Sequence, residues 1–381
     1  MSADTELTRE ELRRTARHLN LPGFGIEQQR RLHAAHVLVV GAGGLGCPAL
    51  QQLAAVGVGK ITIIDDDTVD LTNIHRQILF TADDVGKPKV EVAAARIRCL
   101  QPGIEVCELR RRLDSANAVA IVGGVDLVLD GSDSFGTKYL VADAAEITST
   151  PLVWGTVLQY RGDVALWHSG TETEDGRGVG LRDIFPVQPG GDFVPDCATA
   201  GVLGVTTSVV AGLMVTQVVA HLAQLPGAGN PGRLTSYEAL SARMRTLEVQ
   251  ADPGRELVSE LEQSYDVGCA MPGEAAAEEA ERQRLLGLVR DGRAVAVDIR
   301  EPHEVLLKPW PDAEPVLLPG SEVSSIDDLP EFDKNLVVAC AAGVRSARFV
   351  ENYGEQLSRR GIQAQSLPGG VNSLSPSRSS G

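Results

Sequence analysis

The 381-residue sequence predicts an α/β fold, with a doubly wound, mostly parallel sheet followed by a second, smaller α/β domain. The first apolar strand, His36–Val40, runs directly into the glycine-rich segment Gly41–Gly46. Two further apolar strands, Lys60–Ile64 and Val125–Leu129, are each followed by acidic residues and are separated by helical segments. Because parallel strands present such loops at one edge of the sheet, we expect a ligand site there.

A second α/β pattern begins with the strand Ala294–Asp298 and returns with Asn335–Cys340. Before it lies a stretch rich in Glu, Gly and Ala, a composition typical of linkers. We therefore predict an N-terminal helical arm at 1–28, the larger α/β domain at 29–250, a linker at 251–284, and the smaller domain with a disordered Ser-rich tail at 285–381.

The net charge of −16 excludes a general nucleic-acid surface or anionic-membrane surface, because phosphates are bound by clustered Lys and Arg. The charged segment Met1–Arg17 has no apolar core, so we expect no secretory signal and a cytoplasmic location. Ala198–Leu225 carries no charge, but glycines and polar residues interrupt it. We predict a buried helix with its lead-in loop there and no membrane span.

The glycine-rich segment reads Gly41-x-Gly43-Gly44-x-Gly46, which lets a phosphate chain approach backbone amides and the positive end of a helix. The same pattern occurs in dinucleotide-binding folds, and Asp65 lies at a suitable distance to bind a ribose hydroxyl. A NAD-dependent oxidoreductase therefore remains an alternative on this motif alone.

Polar segments further along favour a different chemistry. Thr72–Gln77 is followed by Gly86–Lys89 and then by Asp133. Transfer of an adenylyl group requires cations around the triphosphate and a carboxylate for Mg²⁺, whereas a redox cofactor needs no such array. The sequence thus favours nucleotidyl transfer.

Five segments together resemble the adenylyltransferases of molybdopterin synthase and of thiamine sulfur carriers, within the ubiquitin-activating-enzyme-like superfamily. The resemblance covers residues 14–247, and the segments are Gly41–Gly46, Asp65–Asp67, Asn73–Gln77, Lys87–Lys89 and Asp130–Asp133. It implies a Rossmann-like domain that uses ATP and Mg²⁺.

The resemblance also implies a role for individual residues. Asp65 would bind the ribose, Asp133 would hold Mg²⁺, and Arg76 and Asp133 would act in catalysis. Arg17 resembles an arginine that reaches the phosphates of the other subunit, which implies a homodimer, although Thr15 stands where the family usually has Tyr. The remaining nucleotide-binding residues would be Gly41, Gly43, Gly44, Thr72, Asn73, Gln77 and Lys89.

The six cysteines include no Cys-x-x-Cys pair, so neither a disulfide framework nor a four-thiolate zinc site is expected. Pro195–Gly204 resembles the family's crossover loop, which makes Cys197 a candidate nucleophile. Many relatives hold structural zinc with two Cys-x-x-Cys pairs, but the corresponding Gly180–Pro186 has no cysteine. We predict no zinc, with packing alone holding the fold there.

Cys340–Arg345 forms a strand-to-helix loop in which backbone amides and the helix dipole would stabilise a thiolate. Four residues between Cys and Arg make a small cradle suited to a persulfide. Together with Asp298–Glu304 and Gly369–Val371, this loop resembles the rhodanese domain over residues 285–371. The resemblance implies that Cys340 carries a sulfane sulfur and that Arg345 positions the loop or the sulfur donor.

We therefore expect ATP-dependent adenylation of the C-terminal glycine of a ubiquitin-like sulfur carrier, then sulfur delivery from Cys340 to form a thiocarboxylate, with Cys197 as an optional relay. The donor is a cysteine desulfurase or thiosulfate. The alternatives are a thioester passed to Cys197 for protein conjugation, a rhodanese domain that only recruits partners, and the oxidoreductase. Arg110–Arg112 is either a solvated strand edge or a docking patch for the carrier.

Overall fold

A computed structural model describes residues 6–173, 176–189, 201–225, 231–265, 272–311 and 313–374. Its contacts divide the chain into two compact units, Met1–Val267 and Gly268–Gly381. The first unit is built on a mostly parallel sheet and the second on a parallel sheet, both with helices, so the predicted α/β class is confirmed.

The first unit alternates helices and strands. Its described helices are α1 (Arg9–Arg14), α2 (Ile26–Ala34), α3 (Gly46–Val56), α4 (Lys89–Leu100), α5 (Ala118–Val122), α6 (Phe135–Thr148) and α7 (Gly204–Leu222). Its described strands are β1 (His36–Val40), β2 (Lys60–Ile64), β3 (Glu105–Leu109), β4 (Leu127–Asp130), β5 (Leu152–Leu158), β6 (Arg161–Trp167), β7 (Glu172–Thr173), β8 (Gly176–Arg177), β9 (Arg233–Glu238) and β10 (Arg243–Glu248).

Eight of these strands form one sheet in the order β10-β9-β6-β5-β4-β1-β2-β3. Strands β1 to β5 are parallel, and β6, β9 and β10 extend the sheet antiparallel. The chain moves outward from β1 to β3 and then returns to the other side of β1 with β4. The carboxyl ends of β1 and β4 therefore flank a topological switch point, where ligands bind in such sheets.

Alternating side chains of the central strands fill two cores. Val37 and Val39 face a core shared with α3, α4 and α7, whereas Leu38 and Val40 face a core shared with α5 and α6. Because both faces are covered, these strands are apolar along their whole length. This explains why they are readable from sequence.

Helix α7 is, among the described helices, the one long and apolar enough to cross a membrane by length and composition. It packs against β5 and β6, with Val210, Met214 and Val218 buried. Its apolar character thus has a role in the core of this unit.

The second unit contains a four-stranded parallel sheet in the order β12-β11-β13-β14. Its described elements are α8 (Pro272–Arg290), β11 (Ala294–Asp298), α9 (Pro302–Leu307), β12 (Val316–Leu317), β13 (Asn335–Ala339), α10 (Val344–Arg359) and β14 (Ala364–Ser366). The central strands β11 and β13 are buried, and α10 follows β13 after a short loop.

Residues 251–284 were interpreted as a linker, and residues 266–271 of this stretch lie outside the described part. The described residues before and after them are structured. Arg255 and Tyr265 hydrogen-bond to carboxylates of the first unit. Helix α8 begins at Pro272 in the second unit, where Leu285 is fully buried. Low overall hydrophobicity gave no sign that ion pairs of Arg255, together with packing of Leu261 and Tyr265 against the core, hold residues 252–265.

Candidate active sites

The glycine-rich segment makes a tight turn between β1 and α3. Gly41 has φ 86°, a conformation that favours glycine, and a Cβ on Gly46 would overlap the carbonyl oxygen of Gly41. A Cβ on Gly131 would lie 3.0 Å from the Gly46 nitrogen. The loops after β1 and β4 therefore pack closely, and the N-terminus of α3 points into the cleft at the switch point.

A pocket at this edge of the sheet brings together eight of the eleven predicted nucleotide-binding residues. These are Gly41, Gly43, Gly44, Asp65, Arg76, Gln77, Lys89 and Asp133. Thr72, Asn73 and Arg17 do not line it. Thr156 and Val157 of β5, together with Val202 and Thr207, complete the wall on the β5 side.

Asp65 joins two strand ends at the pocket. Its Oδ2 accepts a hydrogen bond from the Ala42 amide at 2.7 Å, and its Oδ1 accepts one from the Asp67 amide at 2.8 Å. Burial raises the pKa of Asp65, although these amides act in the opposite direction. The carboxylate is thus fixed beside the glycine loop, where it can accept hydrogen bonds from hydroxyl groups.

Lys89 is the first residue of α4 and is buried, with its Nζ 2.8 Å from Asp67 Oδ2. Asp67 also accepts a hydrogen bond from the Lys89 amide. The ion pair with Asp67 holds the Lys89 ammonium group at the wall of the pocket. A polyphosphate would compete with Asp67 for this cation.

Arg76 and Gln77 face the glycine loop from the opposite side. The aliphatic part of Arg76 lies beside Gly44, and its Nη1 donates to the Thr72 carbonyl at 3.1 Å. The Oε1 atom of Gln77 is buried and lacks a hydrogen-bond partner within the described residues. A buried amide in that state is a site for a ligand or water donor.

Thr72 and Asn73 lie in a single helical turn, Leu71–Asn73, beside the pocket. The Asn73 carbonyl accepts hydrogen bonds from the amides of Arg76 and Gln77, both at 3.0 Å. In the structure described, these two residues therefore shape the segment that presents Arg76 and Gln77, and their side chains bond within the turn.

Below Asp133, a buried ion pair fixes the loop after β4. Lys138 Nζ donates to Asp130 Oδ2 at 3.2 Å and to the Gly155 carbonyl at 2.6 Å. Asp130 Oδ1 accepts hydrogen bonds from the amide and hydroxyl of Ser132, at 3.0 and 2.6 Å. The exposed carboxylate of Asp133 follows directly. Sequence reasoning missed Lys138, because α6 also contains Asp143 and Glu146 and a further charged residue within it gave no distinct signal.

The loop after β3 also contributes to the pocket, through Arg111, Arg112 and Leu113. Arg110–Arg112 was interpreted as a solvated strand edge or a docking patch, and neither interpretation predicted a place in the nucleotide pocket. The cause is topological, since β3 ends at the same edge of the sheet as β2 and β1.

Oxygen ligands suited to Mg²⁺ are present at the same pocket. Asp65, Asp66 and Asp67 place carboxylate oxygens within 4.8 Å of one another, and Asp133 lines the same pocket with an exposed carboxylate. The donor set therefore fits a hard divalent cation.

Arg17 is exposed and follows α1. Its neighbour Arg14 binds the C-terminal carbonyls of α3, at 3.3 Å for Ala54 and 2.8 Å for Ala55. Arg14 thus anchors the arm that carries Arg17. Cys197, the other residue of the predicted adenylation site, lies outside the described residues.

In the second unit, Cys340 directly follows β13 and is buried. Its Sγ accepts hydrogen bonds from the Gly343 amide at 3.1 Å and the Ser346 hydroxyl at 3.6 Å. Gly343 has φ 95° and caps α10, and the Cys340 carbonyl accepts the Val371 amide. A helix N-terminus with one amide and one hydroxyl donating to sulfur suits a thiolate or persulfide.

Arg345 lies in the first turn of α10 and forms a bidentate ion pair with Glu304 of α9, at 2.8 and 2.5 Å. Sequence reasoning placed Arg345 beside Cys340 but gave Glu304 no role. Asp298 and Arg300, from the same motif, form a buried ion pair whose closest contact is 2.6 Å.

Residues 15–257, more than half of the chain, match the ThiF family. The chain belongs to the ThiF family.

Relatives of this ThiF-family chain extend over both units. It is 38% identical over 349 residues to a probable adenylyltransferase/sulfurtransferase, MoeZ, of Mycobacterium tuberculosis, covering 90% of this chain and 88% of the relative. Adenylyltransferase and sulfurtransferase MOCS3 of Bos taurus is 34% identical, with 90% and 75% covered. A sulfur carrier protein adenylyltransferase of Thermus thermophilus is 46% identical over 248 residues, covering 65% of this chain and 90% of the relative.

Solved structures show the same ThiF-type fold. Escherichia coli MccB superposes with a TM-score of 0.57 at 18% identity, covering 68% of this chain and 76% of that one. PaaA gives a TM-score of 0.52 at 23% identity, covering 65% and 76%. At these identities the likeness concerns the fold alone.

In this ThiF-family chain, an ion-pair network holds the region where packing alone was predicted. Asp183 accepts hydrogen bonds from Arg177 at 2.9 and 2.6 Å and from Arg255 at 2.9 and 3.3 Å. Arg255 also binds both oxygens of Glu146, each at 2.9 Å. Burial opposes ionisation of Asp183, but the two arginines outweigh it and lower its pKa. The prediction was wrong because the residues of the network are distant in sequence.

Proposed function

We propose that this chain adenylates the C-terminal glycine of a ubiquitin-like sulfur carrier and then transfers sulfur to it from Cys340, forming a thiocarboxylate. The observation that carries the proposal is the presence, on one chain, of a phosphate-suited pocket in the first unit and a cysteine cradle in the second. The names of the full-length relatives support both activities. We also propose that the two units are the adenylation and sulfurtransferase domains.

In the adenylation step, a carboxylate oxygen of the carrier attacks the α-phosphorus of ATP, the bond to the bridging oxygen breaks, and pyrophosphate leaves. The glycine loop and the N-terminus of α3 are suited to hold phosphates. Arg76 and Lys89 would balance their charge, Gln77 would donate from its Nε2 atom, which lies beside Gly43, and Asp65 would accept the ribose hydroxyls. Asp133 would hold Mg²⁺, which supplies further charge neutralisation when bound.

In the sulfur-transfer step, the outer sulfur of a Cys340 persulfide attacks the carrier's carbonyl carbon, and AMP leaves. The product is an acyl disulfide between the carrier and Cys340. A thiol then attacks the Cys340 sulfur, breaks the sulfur–sulfur bond and releases the thiocarboxylate. We propose Cys197 as that thiol, after which a cellular thiol reduces the Cys197–Cys340 disulfide.

The remaining assignments are also proposals. The enzyme would act in the cytoplasm as a homodimer in which Arg17 reaches the other subunit's phosphates. The sulfur donor would be a cysteine desulfurase or thiosulfate, with no nucleic-acid or membrane partner. No zinc would be required, because the Arg177–Asp183–Arg255–Glu146 network joins the segments around Gly180–Pro186.

Exchange of labelled pyrophosphate into ATP tests the adenylation step. We expect exchange that depends on a carrier ending in Gly-Gly and is abolished in Asp133→Asn, while the exposed Asp83→Asn variant exchanges normally. A chain that instead changes NADH fluorescence and shows no exchange with any carrier tested belongs to the oxidoreductase alternative.

A further inference from the structure

Glu304 binds both terminal nitrogens of the Arg345 guanidinium. Both terminal nitrogens are used, since Nη1 donates to Oε2 at 2.8 Å and Nη2 donates to Oε1 at 2.5 Å. Such a fork uses one N–H of each terminal nitrogen, and Nε–H is among the donors of Arg345 that Glu304 does not bind. The Nε atom is buried, and no described residue accepts a hydrogen bond from it.

The thiol of Cys340 interacts with the same arginine. Hydrogen bonding to Glu304 is the main cause of a raised pKa at Arg345, and electrostatic interaction and hydrogen bonding with the Cys340 side chain add to it. Cys340 itself is buried and receives the Gly343 amide. Sulfur added to Cys340 would thus lie in a small cradle beside an arginine already neutralised by a carboxylate.

Glu304 is held in place by its own helix. It lies in the first turn of α9, where its Oε2 accepts the Glu301 amide at 3.0 Å. Buried Arg300 donates to the Lys308 carbonyl at 2.8 Å, which fixes the other end of α9 against the Asp298–Arg300 pair. The carboxylate therefore does not move freely away from Arg345.

We propose that Glu304 determines which sulfur donor this domain accepts: by orienting Arg345 and cancelling its charge, it favours persulfides over the thiosulfate dianion. This inference rests on the proposed sulfurtransferase function and names the donor class for it. Glu304 acts through Arg345 and is a positioning residue.

The two donors make different demands on the cradle. With a persulfide, the Cys340 thiolate attacks the outer sulfur, so a new sulfur–sulfur bond forms and the old one breaks. The donor leaves as a thiolate, and the proton of the transferred outer sulfur passes to solvent. With thiosulfate, the same attack expels sulfite, a dianion whose three oxygens need cationic or amide donors. A guanidinium whose terminal nitrogens are bound to a carboxylate offers sulfite little stabilisation.

The test measures persulfide formation on Cys340 of the full-length chain, by quenched-flow intact mass spectrometry, with two donors. One donor is thiosulfate, and the other is a cysteine persulfide on a short peptide without acidic residues. Glu304→Gln should raise kcat/KM for thiosulfate about tenfold, mainly through KM, because removing one nearby charge is worth at least that factor. The peptide persulfide should change less than about twofold, since its outer sulfur carries at most one charge.

Two further variants make the result specific. Glu355→Gln, which breaks an exposed ion pair with Arg359 on the same helix α10, should leave both donors unchanged. Arg345→Lys keeps the charge but removes Nε–H, and should slow both donors. The thiosulfate rate of Glu304→Gln should also fall as salt increases, unlike that of the wild type, because an uncompensated cation is screened.

An unchanged donor ratio in Glu304→Gln, with normal wild-type persulfide formation, overturns this inference and leaves the proposed function standing. If the wild type forms no Cys340 persulfide with either donor, the sulfurtransferase function fails, and this inference fails with it.

Discussion

Removing Arg255 from the ion-pair network should destabilise the first unit strongly. Its side chain is 12% exposed and bridges Glu146 and Asp183, which are 4% and 0% exposed. Arg255→Met keeps the aliphatic volume but deletes four hydrogen bonds to these two carboxylates. Two buried carboxylates then lose a common counter-ion.

The magnitude follows from what each carboxylate retains. Asp183 still has Arg177 and the amides of Gly180 and Asp252, whereas Glu146 keeps the Val258 amide at 2.7 Å but loses its arginine. Breaking a buried pair by removing one partner costs about 3–5 kcal/mol. Since one of the two acids stays paired, we expect the lower part of that range, about 3 kcal/mol.

Tryptophan fluorescence during guanidinium unfolding measures this loss. Two of the three tryptophans, Trp154 and Trp167, lie in the first unit, so a Trp310→Phe background makes the signal specific to it. The control is Arg233→Met, which breaks an ion pair with partners 43% and 63% exposed and should cost below about 1 kcal/mol. If Arg255→Met costs no more than this control, the network does not hold this region and the reasoning is refuted.

Three further predictions concern the pocket, the dimer and acid stability. Lys138→Met should raise the Mg²⁺ concentration for half-maximal ATP–pyrophosphate exchange about tenfold, because the loop carrying Asp133 loses its buried anchor; an unchanged requirement contradicts this positioning role. Mixing inactive Arg17→Ala and Asp133→Ala chains should restore about a quarter of wild-type exchange, since each mixed dimer has one intact site; no recovery excludes a shared site. The pKa of Glu146 and that of Asp183 are lowered in the fold, so their stabilisation is complete above the ordinary values and is lost as pH falls below them; acid titration of the same fluorescence signal should show a smaller loss in Glu146→Gln.

The sequence was sufficient for the parts of the site that are local in the chain. Gly41–Gly46 dictates a tight strand-to-helix turn, and Asp65 follows an apolar strand that parallel topology places beside it. The Cys340–Arg345 loop is likewise contiguous. Each of these could be predicted because the chemistry and the backbone geometry are set by neighbouring residues.

Contacts between distant segments were not predictable in the same way. Lys138 reaches Gly155 through tertiary packing, and the arginine run enters the pocket because of strand order. The Glu304–Arg345 pair joins residues 41 positions apart. Charged side chains read as surface groups in a sequence, so their burial in pairs becomes visible only once the fold brings the partners together.

The thiocarboxylate itself tests the central claim most directly. Intact mass spectrometry would follow a Gly-Gly-ended carrier incubated with this chain, Mg-ATP and a sulfur donor, beside Asp133→Ala and Cys340→Ala. We predict a mass gain equal to the replacement of one oxygen by sulfur in the wild type, and none in either variant. A mass gain that survives Cys340→Ala, or its absence in the wild type with every carrier and donor tested, would contradict coupled adenylation and sulfur transfer.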